Sequence, residues 1–244
     1  MKQEPGRSFV YSNTGFNLLE LVIEEVTGRE FAEYMEEEIF LPLGMERSSF
    51  TWEEKFDPPV PNGYDTGGNA IPVYVYPDKA SGGLFSTVED IATFISAGMI
   101  GHSSSRSVLG EETIATIYEP EVKPSGFLGL AFDSYGLGHF IEYLDDKKAV
   151  SHGGQGSGWM THFHSVPETG DGIVILTNSQ KSWPFFANVL TDWARWNGFS
   201  SIGMGKIIMG QKIVWGLVFF VFIISLGQIF RLLRGFVAGT MKFS

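Results

Sequence analysis

Two short runs hold side chains that could do chemistry together: Tyr11-Ser12-Asn13 near the start and His152-Gly153-Gly154 far downstream. A phenol and an imidazole can each move a proton, and an amide can both donate and accept hydrogen bonds. Alone, each run is weak. Tyr-x-Asn arises by chance, and a His before two glycines is most often the end of a strand. Three other groups attract attention and carry less. Ser157 lies in the run Gly-Gln-Gly-Ser-Gly, but Gln155 stands where a nucleophile elbow needs glycine. His162 and His164 are two apart, so on a strand they share one side, as metal ligands or a packed face would. With no third ligand evident, the packed face is the reading and no metal or other cofactor is expected. The run Glu36-Glu37-Glu38 reads as a solvated helix face. Cysteine is absent, which excludes a thiol nucleophile, a Cys-based zinc site and a disulfide framework.

The elements that must position these residues follow from pattern. Leu19, Val22, Ile23 and Val26 fall at the spacing of one helical face, and Gly28 is placed to close that helix in a left-handed cap. A second helix is predicted over Glu30–Phe40, ended by Pro42. Residues 53–82 are rich in proline and glycine and read as a long loop. Ser86 and Glu89 have capping-box spacing and predict a helix start, with Ile91, Phe94 and Ile95 on its apolar side. A short helix is expected near Glu111–Tyr118. After about residue 135, short aromatic and β-branched runs separated by turn residues predict strands, and connections this short join antiparallel neighbours. Ser182–Trp196 then reads as a helix with Phe185, Phe186, Val189, Leu190 and Trp193 on its apolar side. The predicted class is α+β: a helical region (1–134), then an antiparallel sheet with a covering helix (135–199).

Charge divides the 244 residues in two. Residues 1–205 hold 12 basic and 28 acidic side chains, a net of −16; residues 206–244 hold five basic and no acidic ones, within a total of −11. So acidic a body excludes a nucleic-acid partner, which needs clustered Lys and Arg. From Ile213 to Phe230 there are 18 residues without a charge, bracketed by Lys212 and Arg231. As a helix they span roughly 27 Å, close to the apolar thickness of a bilayer. The expected layout is therefore a linker over 200–211, a single transmembrane helix over 212–231 and a short basic tail over 232–244. More basic residues follow the span (Arg231, Arg234, Lys242) than precede it (Lys206, Lys212), which favours a cytoplasmic C-terminus and an extracytoplasmic domain at the cell membrane.

Taken in order, the runs PGRSFVYSNTGFNLLELVIEEVTGREFAEYMEEEIFLPLGM, SGGLFSTVEDIATF, YGLGHF, SHGGQGSGW and VILTNS resemble the β-lactamase-related serine hydrolases. That family includes class C β-lactamases, D-Ala-D-Ala carboxypeptidases and related esterases. The similarity runs from about residue 4 to 197. It implies a β-lactamase/transpeptidase-like fold and three motifs: Ser-x-x-Lys, Tyr-x-Asn (matched by Tyr11 and Asn13), and Lys-Thr-Gly or its His-x-Gly variant (matched by His152 and Gly154). On that resemblance Tyr11 takes the proton of a serine nucleophile if cations stabilise its phenolate, the missing Lys and His152 being the candidates. Asn13 orients the substrate carbonyl and the Lys. Gly154 lets the substrate backbone approach the strand edge, and the N–H of Gln155 is one of two oxyanion donors.

The departure is as informative. No lysine in the chain has a serine three places before it, so Ser-x-x-Lys is absent. The family places that motif upstream of Tyr-x-Asn, and here only ten residues precede Tyr11. A truncated sequence is expected, a split or decayed gene being the other account. The functional expectation is acyl transfer to water on a small ester, amide, lactam or D-amino-acid peptide, by a domain tethered to the lipid bilayer, with this chain alone inactive. The alternative is a non-catalytic membrane-bound binding or scaffold protein derived from the same fold.

Overall fold

The computed structural model describes residues 4, 6–53, 56–99, 101 and 108–238. Eight α-helices and seven strands are formed among them, with a five-stranded antiparallel meander, β3-β4-β5-β6-β7, at the centre. Its strands are β3 (Ser134–Tyr135), β4 (Phe140–Leu144), β5 (Lys147–Gly156), β6 (Trp159–Val166) and β7 (Asp171–Thr177). The mixed helix-plus-antiparallel-sheet reading holds. The β4–β5 turn places Asp145 and Asp146 at φ 50° and 67°, a left-handed pair that aspartate tolerates better than most residues.

One face of the sheet is closed by α7 (Trp183–Trp196), which buries Phe186, Ala187, Leu190 and Ala194 against Phe140, Leu144, Ala149 and Val166. Phe185 does not join them as expected; it is 53% exposed. On the other side lies α4 (Val88–Ala97). Its start is one residue later than the capping-box spacing predicts: Thr87 is the cap, accepting from the N–H of Asp90 at 3.3 Å. Ser86 instead meets Ser48 Oγ at 2.8 Å, and Ser48 donates to the buried Asp90 carboxylate. The short helix α5 (Glu111–Ile117) forms where expected, and α6 (Leu128–Ala131) lies beside the C-terminal helix.

Two N-terminal expectations need correction. Pro42 does not end its helix. The chain runs from α2 (Phe31–Met35) through a π-helical stretch (Glu36–Phe40) into α3 (Leu41–Leu43), and stops at Gly44 with φ 80°. A proline clashes with the carbonyl four residues back, and the wider π turn just before it relieves that clash. The second correction concerns α1 (Asn13–Thr27), which ends at Gly28 with φ 69° as predicted. Its buried residue is Glu20, whereas Leu19, Val22 and Val26 are 55%, 53% and 80% exposed. The polar side is the one tied down: Glu20 accepts from the N–H of Ala80 at 2.8 Å, and Glu24 from that of Phe31 at 3.0 Å. Within the 53–82 loop, Gly63–Tyr64 (β1) and Ala70–Ile71 (β2) form a small antiparallel pair.

The C-terminal helix α8 (Gly203–Val237) begins earlier than predicted, so most of the expected 200–211 linker is helical and sits on the domain. Ile202 and Met204 are buried in the same core as Leu190. The apolar stretch of α8 has a mean hydropathy of 2.4, and none of its residues is buried against the rest of the chain. By length and composition it is long and apolar enough to cross a bilayer. Of the basic tail, residues 239–244, Lys242 among them, lie outside the described residues.

Candidate active site

The turn into α1 and the middle of β5 come together at one end of the sheet. Tyr11 precedes the helix cap Ser12, and its ring lies 6.1 Å from that of His152, nearly parallel at 29°. Phe140 supports both rings, with centroids 6.5 Å from Tyr11 and 5.5 Å from His152. Asn13 is the first residue of α1, two residues beyond Tyr11, and is exposed. Gly154 and Gln155 follow His152 on β5 and are also exposed.

The two glycines after His152 are explained by the neighbouring strand. Gly153 pairs with His162, and a Cβ there would lie 3.2 Å from His162 Nδ1. Gly154 pairs with Thr161, and a Cβ on it would come within 2.6 Å of Thr161 Oγ1. A side chain at either position would require Thr161 or His162 to give way. The pairing of β4 with β5 ends at Phe140↔Ser151, while β6 continues alongside β5 to Gly156↔Trp159. Residues 152–155 therefore have a strand neighbour on one side only among the described residues. Beyond them, Gly156 O accepts from Gln180 Nε2 at 2.8 Å and the Ser157 N–H donates to the Tyr76 hydroxyl at 3.2 Å. These bonds fix the end of the strand.

The electrostatics run against one expectation. Burial pushes the His152 imidazole below its ordinary pKa, so this chain favours the neutral ring over the cation. Burial also raises the phenol of Tyr11, and it raises Tyr135 to about 12, with the neighbouring Tyr11 adding to the effect. A neutral imidazole beside a neutral phenol can pass a proton but cannot hold a phenolate. Tyr135, whose ring is 6.5 Å from His152, and Phe140 were not singled out from sequence; an aromatic on a strand is the commonest core residue and gives no signal.

His162 and His164 are buried at 4% and 1% exposure on the opposite face, against Phe186 and Trp193 of α7. His164 Nε2 lies 3.7 Å from Glu142 Oε1, and Glu142 Oε2 accepts from the N–H of Gly203 at 2.8 Å. Among the described residues no cluster of three or more potential ligands could hold a metal ion.

Comparison with known proteins gives these positions a context. Over 182 residues the chain is 26% identical to a D-aminopeptidase of Gluconobacter oxydans, covering 72% of this chain and 32% of that protein. Its structure is similar to the octameric penicillin-binding protein homologue from Pyrococcus abyssi, with a TM-score of 0.65 and 31% identity over 77% of this chain and 44% of that one. It is also similar to the D-amino acid amidase of Ochrobactrum anthropi, with a TM-score of 0.58 and 26% identity over 72% of this chain and 57% of that one. The chain thus spans between about a third and somewhat more than half of these proteins. The beta-lactamase family model matches residues 1–192, and the chain belongs to that family of serine hydrolases.

Proposed function

We propose that this chain carries the general-base and substrate-edge half of a membrane-anchored serine hydrolase. The observation that supports it is the meeting of Tyr11 and His152 beside a stretch of β5 with a strand neighbour on one side only among the described residues. In an antiparallel ladder a strand with a free side offers N–H and C=O groups to an extended peptide or to a carbonyl oxygen. Gln155 N–H is the proposed oxyanion donor, and Gly154 keeps the edge clear of side chains. Asn13, at the entry to α1, orients the scissile carbonyl. Tyr11 takes the proton of the nucleophile and returns it to the leaving group, with His152 beside it. Because burial disfavours charge on His152, the cation that holds the Tyr11 phenolate comes with the nucleophile, from the lysine of Ser-x-x-Lys.

That motif is supplied by a segment outside these 244 residues. The outward apolar side of α1 supports this: a helix with Leu18, Leu19, Leu21, Val22 and Val26 all more than half exposed is built for a core interior. The substrates are small esters, amides, lactams or D-amino-acid peptides, the last suggested by the D-aminopeptidase and amidase relatives. The apolar part of α8 crosses the bilayer and holds the domain on the extracytoplasmic side.

A fluorescent penicillin, which acylates an active serine, tests the proposal. The chain alone should form no covalent adduct. A chimera carrying a Ser-x-x-Lys segment of the kind the family resemblance implies should be labelled, and lose labelling on Tyr11→Phe. Labelling of the chain alone, abolished by Tyr11→Phe, would overturn the missing-nucleophile reading. Saturable reversible binding to the chain, with no acylation by the chimera, would favour the non-catalytic alternative.

A further inference from the structure

Where α8 leaves the domain, a crevice of about 440 Å³ opens between α7, the Phe199–Ser201 connection and the first turns of α8. Arg195 stands on the α7 side and Lys212 on the α8 side. These two cations line one crevice on a body where acidic residues outnumber basic ones 28 to 12 over positions 1–205. The one acid in the lining, Asp192, already accepts from Arg195 Nη1 at 3.1 Å, which leaves the other guanidinium donors free to turn toward the crevice. Lys212 has no acidic partner within ion-pair distance among the described residues. Ser200 and Ser201 add hydroxyls, while Ile208 and the 60%-exposed Met209 add apolar lining above Lys212.

The walls are fixed before any ligand arrives. Ile202 and Ala194 are buried at 0% and 1% exposure, and the Ser200 N–H donates to Asp145 Oδ2 at 2.6 Å. A Cβ on Gly205 would run into Thr191 Oγ1, so glycine lets α8 approach α7 closely here. Height along α8 is equally informative. Lys212 directly precedes the apolar run that starts at Ile213, and Gly205–Met209 lie within about two turns above it. Two turns rise roughly 11 Å, and the headgroup layer is on the order of 5–7 Å deep. The lower half of the crevice is therefore at headgroup depth. Trp196, 90% exposed at the end of α7, is a side-chain type that prefers the membrane–water boundary.

We infer that this crevice seats the phosphate headgroup of an anionic phospholipid, its acyl chains running down α8 from the exposed Ile213 and Val214. The inference rests on α8 spanning a bilayer. The chemistry is a phosphate oxygen accepting charge-assisted hydrogen bonds from Arg195 and Lys212, with serine hydroxyls completing the cradle. An acidic domain would otherwise be repelled from an anionic surface, and this contact gives it a fixed seat.

The full chain, reconstituted in vesicles of equimolar phosphatidylcholine and phosphatidylglycerol and extracted in mild detergent, is examined by native mass spectrometry. Phosphatidylglycerol should be retained over phosphatidylcholine by tenfold or more. Arg195→Gln with Lys212→Gln should abolish that preference, and Lys181→Gln, on an exposed turn elsewhere, should leave it intact. Equal retention of the two lipids, or a preference that survives the double substitution, would overturn the site. Displacement of the lipid by millimolar inorganic phosphate would also overturn it, in favour of a soluble anion. Carbonate-resistant flotation with pure phosphatidylcholine vesicles checks the span separately: its loss would refute the membrane reading, whereas flotation without lipid preference would refute only the crevice.

Discussion

Helices α1 and α7 are of similar length and both carry an apolar stripe, leucine- and valine-rich on α1 and aromatic-rich on α7, yet they meet the rest of the molecule in opposite ways. The stripe of α7 is inside: Phe186 is 2% exposed, Ala187 1% and Leu190 0%. The stripe of α1 is outside, and a carboxylate, Glu20, takes the inner position at 8% exposure. Burial of apolar surface contributes about 25 cal/mol per Å², so no single helix gains by turning its leucines to water. The orientation is held by the N–H groups of Ala80 and Phe31, which donate to Glu20 and Glu24. The sheet inherits this asymmetry. Its α7 face is a packed core, while one end presents Tyr11, His152 and the one-sided edge of β5. The residues proposed for chemistry lie away from the α7 face.

The largest effect separates these two sides by rate. Hydrolysis of nitrocefin, p-nitrophenyl esters or D-Ala-D-Ala peptides by the chain alone should be indistinguishable from buffer, because nucleophile and base act as a unit and losing one costs about as much as losing all. In the Ser-x-x-Lys chimera, Tyr11→Phe should lower kcat/KM by at least a hundredfold while leaving thermal stability within a degree or two. A Tyr11→Phe chimera of unchanged kcat/KM would remove the phenol from the base role.

Next in size is the core itself. Leu190→Ala on α7 removes a fully buried side chain and should cost about 2–5 kcal/mol in denaturant unfolding of the full chain in detergent. A loss below about 1 kcal/mol would mean that α7 is not the closed face.

A third effect comes from the polar patch inside the finished side. Burial lowers His164 from its ordinary 6.5 to about 4, and lowers His162 further, with the neighbouring His164 and His152 adding to the effect. The unfolded chain binds protons on these rings below about pH 6.5 and the folded chain does not, so their contribution to stability is lost as pH falls from 6.5 toward 4. For His164 alone that is on the order of 3 kcal/mol. Glu142 acts with the opposite sign: burial raises it from 4.5 to about 7, although the Gly203 N–H and Lys206 pull it down. The folded chain holds that proton more tightly, so stability rises as pH falls from 7 toward 4.5. Two histidines outweigh one glutamate, and stability should fall below about pH 6. His164→Phe should remove a sizeable part of that loss; an unchanged acid slope would count against the buried ring as its source.

The sequence made the sheet and its order legible because turn residues and short β-branched runs are local signals. Gly28 and the Glu111–Tyr118 helix were readable for the same reason. What failed was anything set by a partner. The period of Leu19, Val22 and Val26 correctly announces a helix, but which side faces inward depends on what else is packed there. Pro42 looked like a stop because the π turn that accommodates it has no sequence signature. Tyr11 and His152 were found as a pair through family order, since 141 positions of separation carry no local hint that their rings lie 6.1 Å apart. The lowered pKa of His152 has no local signal either, because its burial is a tertiary property.

The smallest expected effect is the sharpest test of the comparison. Val22→Ala removes as much of a stripe on α1 as a similar truncation would on α7, yet 53% of Val22 is already in water. Exposed substitutions away from special features stay within about 0.5 kcal/mol, and alanine has the better helix propensity, so the unfolding midpoint of the full chain should not fall. Leu19→Lys with Val22→Lys should likewise leave it unchanged while reducing dye binding and self-association, because an exposed apolar patch is what draws both. The same pair of lysines in the Ser-x-x-Lys chimera should do the reverse and unfold or inactivate it, since there the stripe would be core. If Val22→Ala instead cost the chain more than about 1 kcal/mol, α1 would already be packed, and the molecule would have two finished sides rather than one.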